Sequence, residues 1–244
     1  MESANEDARG AVCRNDEEKL RDALGRGADA NFTWTPGSSQ QYFKYSLLTA
    51  AARNGFDGGC RLLLARGADP NLSTGHLSRL PMHEACVGAV RRGKVAERCA
   101  CVRHLLDAGA DPNLRDWYGD MVLHIACEGE EEIETVKLLI QRGANVEAKN
   151  QAGQTPLGVA VAGGTRNTAL FLLRAGAKMH ILKHQQLEER NRDLNDYMID
   201  IVNEGGWAAR ARKHEVACLR VVSRCVRLPR DVMLSIVSYW SLPH

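Results

Sequence analysis

Apolar residues along this chain recur in short runs that break on the same phrase. Leu62, Leu63 and Leu64, then Val102, Leu105 and Leu106, then Val136, Leu138, Leu139 and Ile140, then Leu170, Phe171, Leu172 and Leu173 each run into a Gly-Ala pair. Their spacing predicts amphipathic helices, and the glycine supplies the left-handed turn that stops a helix at little steric cost. Before each of the last three lies another apolar run: Leu80 to Cys86, Met121 to Cys127, and Thr155 to Ala160. Pro81 and Pro156 sit where a first helical turn tolerates proline, because that amide has no intrahelical partner. The small Ala and Cys positions in these runs allow close helix packing. The pattern is therefore one of paired helices.

The terminating phrase occurs five times: Arg26-Gly27-Ala28-Asp29, Arg66-Gly67-Ala68-Asp69, Ala108-Gly109-Ala110-Asp111, Arg142-Gly143-Ala144-Asn145 and Ala175-Gly176-Ala177-Lys178. The glycines lie 40, 42, 34 and 33 residues apart. A period near 33 residues implies a stack of small units, each with an apolar face that only its neighbours can bury. The residues Leu80-Pro81-Met82-His83-Glu84-Ala85 and Thr155-Pro156-Leu157, together with the Gly-Ala-Asp-x-Asn phrases, resemble the signatures of ankyrin-repeat proteins. The resemblance covers residues 15–180 and implies an all-α solenoid of about five helix-turn-helix units that binds other proteins. His83 and His124 stand at the same signature position, where the resemblance implies a buried ring bonded to the backbone of an adjacent unit.

Departures from the period locate inserted residues. Gly27 to Leu47 spans 20 residues where Gly143 to Pro156 spans 13, so the first finger between units is enlarged. His83 to Gly109 spans 26 residues against 19 from His124 to Gly143, which lengthens the turn inside the third unit. The expected organisation is a flexible segment over 1–14, the array over 15–180, a helical linker over 181–206 and a helical appendage over 207–244. In the first unit, Glu17 to Leu24 supplies the outer helix.

Composition narrows the function classes. With 32 Lys and Arg against 30 Asp and Glu, no global field favours nucleic acid or a membrane surface. The acidic, polar start and the lack of a long apolar run leave no secretory signal or membrane span in view, so the cytoplasm or nucleus is expected. The eight cysteines fall mostly inside apolar runs and read as small buried thiols. Cys99 and Cys101 would point to different sides of a helix, so no metal site is expected, and no cofactor. No nucleophile, base and carboxylate converge, and no phosphate-cradling loop is visible, so an enzyme is not expected.

Candidate binding residues cluster in the fingers. Five of the 13 aromatic residues lie between positions 32 and 45, and Trp34, Tyr42, Phe43 and Tyr45 are candidates to anchor a partner or to fold back over the stack. Trp117 and Tyr118 occupy a later finger tip, where they either anchor a partner or are the structural aromatics that repeat tips commonly carry before a glycine, here Gly119. The expected occupant is a protein substrate or ligand held by a chain that is monomeric on its own.

Beyond Met179 the repeat phrase stops. Leu219, Val222, Cys225 and Val226 share one helical face, and Val232, Ile236 and Trp240 line another after Leu228-Pro229. These faces either cap the last repeat or dock elsewhere. The segment Leu219 to Arg227, followed by Leu228-Pro229 and Tyr239-Trp240, is similar to a degenerate SOCS box, and Leu228 to Tyr239 is similar to a truncated F-box. Either resemblance implies contact with a ubiquitin-ligase linker, the Elongin B/C pair or a Skp-family protein, and through it a cullin.

Overall fold

A computed structural model of the chain describes residues 2–35, 44–75, 78–87, 95–129 and 133–178. The described residues form ten helices in five antiparallel pairs: α1 (Glu2–Arg14) with α2 (Glu17–Gly25), α3 (Leu47–Arg53) with α4 (Asp57–Ala65), α5 (Pro81–Val87) with α6 (Val95–Asp107), α7 (Val122–Ala126) with α8 (Ile133–Gln141), and α9 (Pro156–Gly163) with α10 (Arg166–Arg174). First helices pack on first helices, α1 on α3 on α5 on α7 on α9, and second helices make a parallel row, α2 on α4 on α6 on α8 on α10. Each unit thus buries its apolar side against the units before and after it. The result is an all-α solenoid, interrupted by a two-stranded antiparallel pair, β1 (Thr33–Trp34) with β2 (Tyr45–Ser46), at the base of the first finger.

The recurring phrase ends every second helix in the same way. Gly27, Gly67, Gly109, Gly143 and Gly176 take φ between 82° and 92°, a region open to glycine without a Cβ clash. The glycine N–H then donates three residues back and the following alanine N–H five residues back, as Gly143 to Ile140 (3.1 Å) and Ala144 to Leu139 (3.0 Å). These bonds satisfy carbonyls that a helix end leaves orphaned. Four residues before the corner stands a fully buried leucine, Leu63, Leu105, Leu139 or Leu172, and in the first row Ala51, Ala85, Ala126 and Ala160 let backbones approach.

The N-terminal segment differs from expectation. Residues 1–14 are expected to be flexible, yet Glu2–Arg14 is helix α1, the first-row helix of the first unit. Ala4, Ala8, Ala11 and Val12 form its buried stripe against α2 and α3. Alanine carries the pattern in place of large apolar residues, so the spacing is helical while the hydrophobic signal is weak.

Units are also tied through polar side chains. Asn31 Oδ1 accepts from Asp69 N–H (2.8 Å) and its Nδ2 donates to Gly67 O (3.3 Å). Asn71 repeats this toward Asp111 and Gly109, and Asn113 toward Asn145 and Gly143. At the start of the series Asn5 of α1 accepts from Asp29 N–H (2.8 Å), and at its end Glu147 accepts from Lys178 N–H (2.6 Å). The corner of each unit is thereby stapled to the corner of the next.

His83 and His124 sit where their signature position implies. Each Nδ1 accepts a backbone N–H at the start of its own helix, Leu80 at 3.4 Å and Met121 at 3.2 Å. Each Nε2–H then donates outward, His83 to Asp120 O (3.2 Å) and His124 to Ala148 O and Gln154 O (3.1 Å each). One acceptor and one donor per ring describe a neutral imidazole. Burial lowers the pKa of His83 to about 4 and also lowers that of His124. No helix among the described residues is long and apolar enough to cross a membrane.

Candidate partner-binding groove

The fingers project beside the first-row helices, and the first finger turns its aromatics inward. Trp34 and Phe32 are half-buried and pack on the core, with ring centroids 6.3 Å apart and planes 15° apart. Tyr45 pairs with Trp34 across the β1–β2 ladder, its ring centroid also 6.3 Å away, and Arg53 lies 5.4 Å over the Tyr45 ring. The Arg53 guanidinium also meets the Tyr45 hydroxyl. Trp34 and Tyr45 therefore close the base of the finger and leave only part of their surface to a partner. Tyr42 and Phe43 lie outside the described residues.

The third finger does the opposite. Trp117 and Tyr118 are 60% and 51% exposed, the exposed large apolar side chains among the described residues. They stand on a braced tip. Asp116 Oδ1 accepts from Tyr118 N–H (2.9 Å) and Asp120 N–H (3.0 Å), an Asx-type turn that closes through Gly119 at φ 73°. The fourth finger reinforces it: Gln151 N–H donates to Tyr118 O (3.1 Å), Gln151 Nε2 to Trp117 O (2.8 Å), and Arg115 bridges Gly119 O (2.8 Å) and Lys149 O (2.6 Å). Backbone fixed before binding lowers the ordering cost of an interface.

Between this finger and the first-row helices opens a cavity of about 110 Å³, lined by Arg79, Val87, Asp116, Asp120, Ile125 and Glu128 among others. Arg79 and Asp116 of this lining belong to a chain of ion pairs. Buried Glu84 lies 3.5 Å from Arg53 and 3.4 Å from Arg79, and Arg79 Nε lies 3.9 Å from Asp116. Burial, opposed by hydrogen bonds from the Asp120 and Tyr118 backbone, raises the Asp116 carboxyl above the usual carboxylate range. Partial burial, then repulsion from Asp120, raises Glu128 as well. No single segment of the sequence points to this site, because its residues come from the second finger, the third finger, α5 and the end of α7. The available signal was an acid beside each of two structural landmarks, Asp120 before a helix and Glu128 after it.

Corner, histidine pairing and helix rows recur with the period read from the glycines, and residues 88–182 match the family model described as ankyrin repeats (3 copies). The fold is an ankyrin-repeat solenoid. The chain is similar to the nuclear factor NF-kappa-B p105 subunit of Gallus gallus, 28% identical over 190 residues, which is 76% of this chain and 18% of that one. It is similar to ankyrin repeat and SOCS box protein 16 of Homo sapiens, 33% identical over 150 residues, covering 60% and 30% of the two chains. Ankyrin repeat and SOCS box protein 18 of Homo sapiens is 37% identical over 145 residues, covering 49% and 30%. The chain thus spans less than a third of the length of each of these relatives. Ankyrin repeats are protein-interaction modules, and the candidate groove is the side on which the third finger, α5 and α7 enclose this cavity. The candidate ligase-linker residues Leu219, Val222, Cys225, Val226, Leu228, Pro229, Val232, Ile236 and Trp240 lie outside the described residues.

Proposed function

We propose that the chain is a non-enzymatic scaffold that grips a polypeptide along this groove and serves as the substrate-recognition adaptor of a cullin-RING ubiquitin ligase. The observation that carries the gripping half is the braced exposed pair Trp117 and Tyr118 on the finger whose Asp116 and Asp120 line the cavity. Rigid exposed aromatics are the side chains that most often supply binding energy at the centre of an interface. The adaptor half rests on the resemblance of residues 219–240 to a SOCS box or truncated F-box, and on relatives whose names join ankyrin repeats to a SOCS box. In that reading the array holds the substrate while the tail meets Elongin B/C or a Skp-family linker.

A second reading is favoured by the last described helix, where Leu170, Phe171 and Leu173 are only partly buried. A scaffold whose tail covers this end would gain burial of that surface, with no ligase involved. Direct binding of the full chain and of a chain ending at Gly205 to purified Elongin B/C and to a purified Skp-family linker separates the two. The adaptor reading expects one linker to bind the full chain and not the shortened one. Binding of neither, with a lowered melting temperature on shortening, overturns it in favour of the cap.

A further inference from the structure

The chemistry the cavity selects follows from the disposition of charge within it. Arg79 is already engaged, 3.4 Å from Glu84 and 3.9 Å from Asp116. Asp116 is spent on the finger turn. Asp120 has one oxygen committed to Asn150 Nδ2 at 2.8 Å, and among the described residues no side chain pairs with Glu128. Asp120 and Glu128 therefore face one opening whose cation among the described residues, Arg79, is held by Glu84 and Asp116. The carboxylates do not converge as a metal site, since no group of three or more His, Cys, Asp or Glu among the described residues could hold an ion.

The walls and the rim say what kind of cation fits. Val87 and Ile125 are apolar and line the same cavity as the acids. A charged head on an aliphatic stem satisfies both surfaces, which a bare ion cannot do. Trp117 and Tyr118 lie on the finger that contributes Asp116 and Asp120, and residues that neighbour such a head along a polypeptide would cover them. We infer that the cavity between the third and fourth repeats takes a basic side chain, Arg or Lys, of a partner polypeptide whose flanking residues lie on Trp117 and Tyr118. This inference rests on the groove reading above and adds the partner's chemistry to it.

Selection of random heptapeptides displayed on phage against the immobilised full chain, with Trp117→Ala and Asp120→Asn/Glu128→Gln chains in parallel, tests it. Asp120→Asn keeps a carbonyl oxygen for Asn150, and Glu128 is exposed, so the double variant is expected to retain the wild-type circular dichroism and melting temperature. The expected result is enrichment of Arg or Lys at one fixed position beside an apolar residue. A synthetic peptide of that sequence should bind the double variant about tenfold or more weakly, with affinity falling as salt rises. Replacing its basic residue by citrulline or acetyl-lysine should produce the same loss. Enriched peptides that lack a basic residue yet depend on Trp117 overturn the inference and leave the groove reading standing. Peptides insensitive to every variant, or no enrichment at all, overturn both.

Discussion

Asn113 is joined to Asn145 across a repeat boundary: its Oδ1 accepts the Asn145 N–H at 2.9 Å while its Nδ2 donates to Gly143 O at 3.1 Å. The same paired bond links Asn31 to Asp69 and Asn71 to Asp111, so one side chain per unit sets the spacing of the next corner. In a solenoid, stability is approximately a sum of unit and nearest-neighbour contributions. Asn71→Ala and Asn113→Ala each remove two such bonds and are expected to cost about 1–3 kcal/mol. Urea unfolding followed by circular dichroism measures this, and a loss of only a few tenths would contradict the bridging role.

The two histidines make stability depend on pH in a defined window. His83 is neutral when folded with a pKa of about 4, against an ordinary value of 6.5 when unfolded. The unfolded chain therefore takes up the proton first, and stability falls as pH drops from about 6.5 toward 4. For His83 alone the loss between pH 7 and pH 5 comes to about 2 kcal/mol, and His124 acts with the same sign. Asp116 and Glu128, raised when folded, act oppositely in the carboxylate range. His83→Gln isolates the effect: the variant should be less stable at pH 7 but lose less on going to pH 5, as denaturant midpoints at the two pH values will show.

Trp34 and Trp117 should separate stability from binding. Trp34 packs on the core and stacks with Phe32, so Trp34→Ala is expected to cost about 1–3 kcal/mol of folding stability. Trp117 is 60% exposed, so Trp117→Ala should stay within about 0.5 kcal/mol of wild type while weakening partner binding by about tenfold or more. Melting temperature and affinity measured on both variants check the contrast.

Cysteine reactivity should follow burial. Cys13 is exposed, whereas Cys60, Cys86, Cys99, Cys101 and Cys127 are buried. The neighbouring Cys101 thiol and burial push Cys60 well above its ordinary pKa, and burial pushes Cys127 up too. Since the thiolate is the nucleophile, brief alkylation of the native protein followed by peptide mapping should label Cys13 first among these six, with Cys60 and Cys127 modified only on unfolding.

The second-row helices were legible because Leu63, Leu105, Leu139 and Leu172 stand at a fixed distance from a glycine that must take positive φ. Helix α1 was not, because Ala4, Ala8 and Ala11 bury too little surface to mark a face in composition. The roles of the finger aromatics diverged for a reason no local pattern contains: Trp34 has the β1–β2 ladder and the core to fold against, while Trp117 sits on a turn held out by Asp116 and Gln151. Asp120 and Glu128 flank α7 within one unit, but Arg79 and Val87, which enclose the cavity beside them, come from the unit before. Their neighbourhood is a product of packing between units, which a reading along one segment does not contain.

The most direct test of the groove places a photo-crosslinking side chain at Tyr118, on the braced finger tip, or at Arg103, exposed on the second-row helix α6. Each chain is illuminated with a bound peptide from the selection described above. Adduct formation from position 118 and little from position 103 is the predicted result. Equal labelling from both positions, or adducts from position 103 alone, would contradict a partner held between the fingers and the first-row helices.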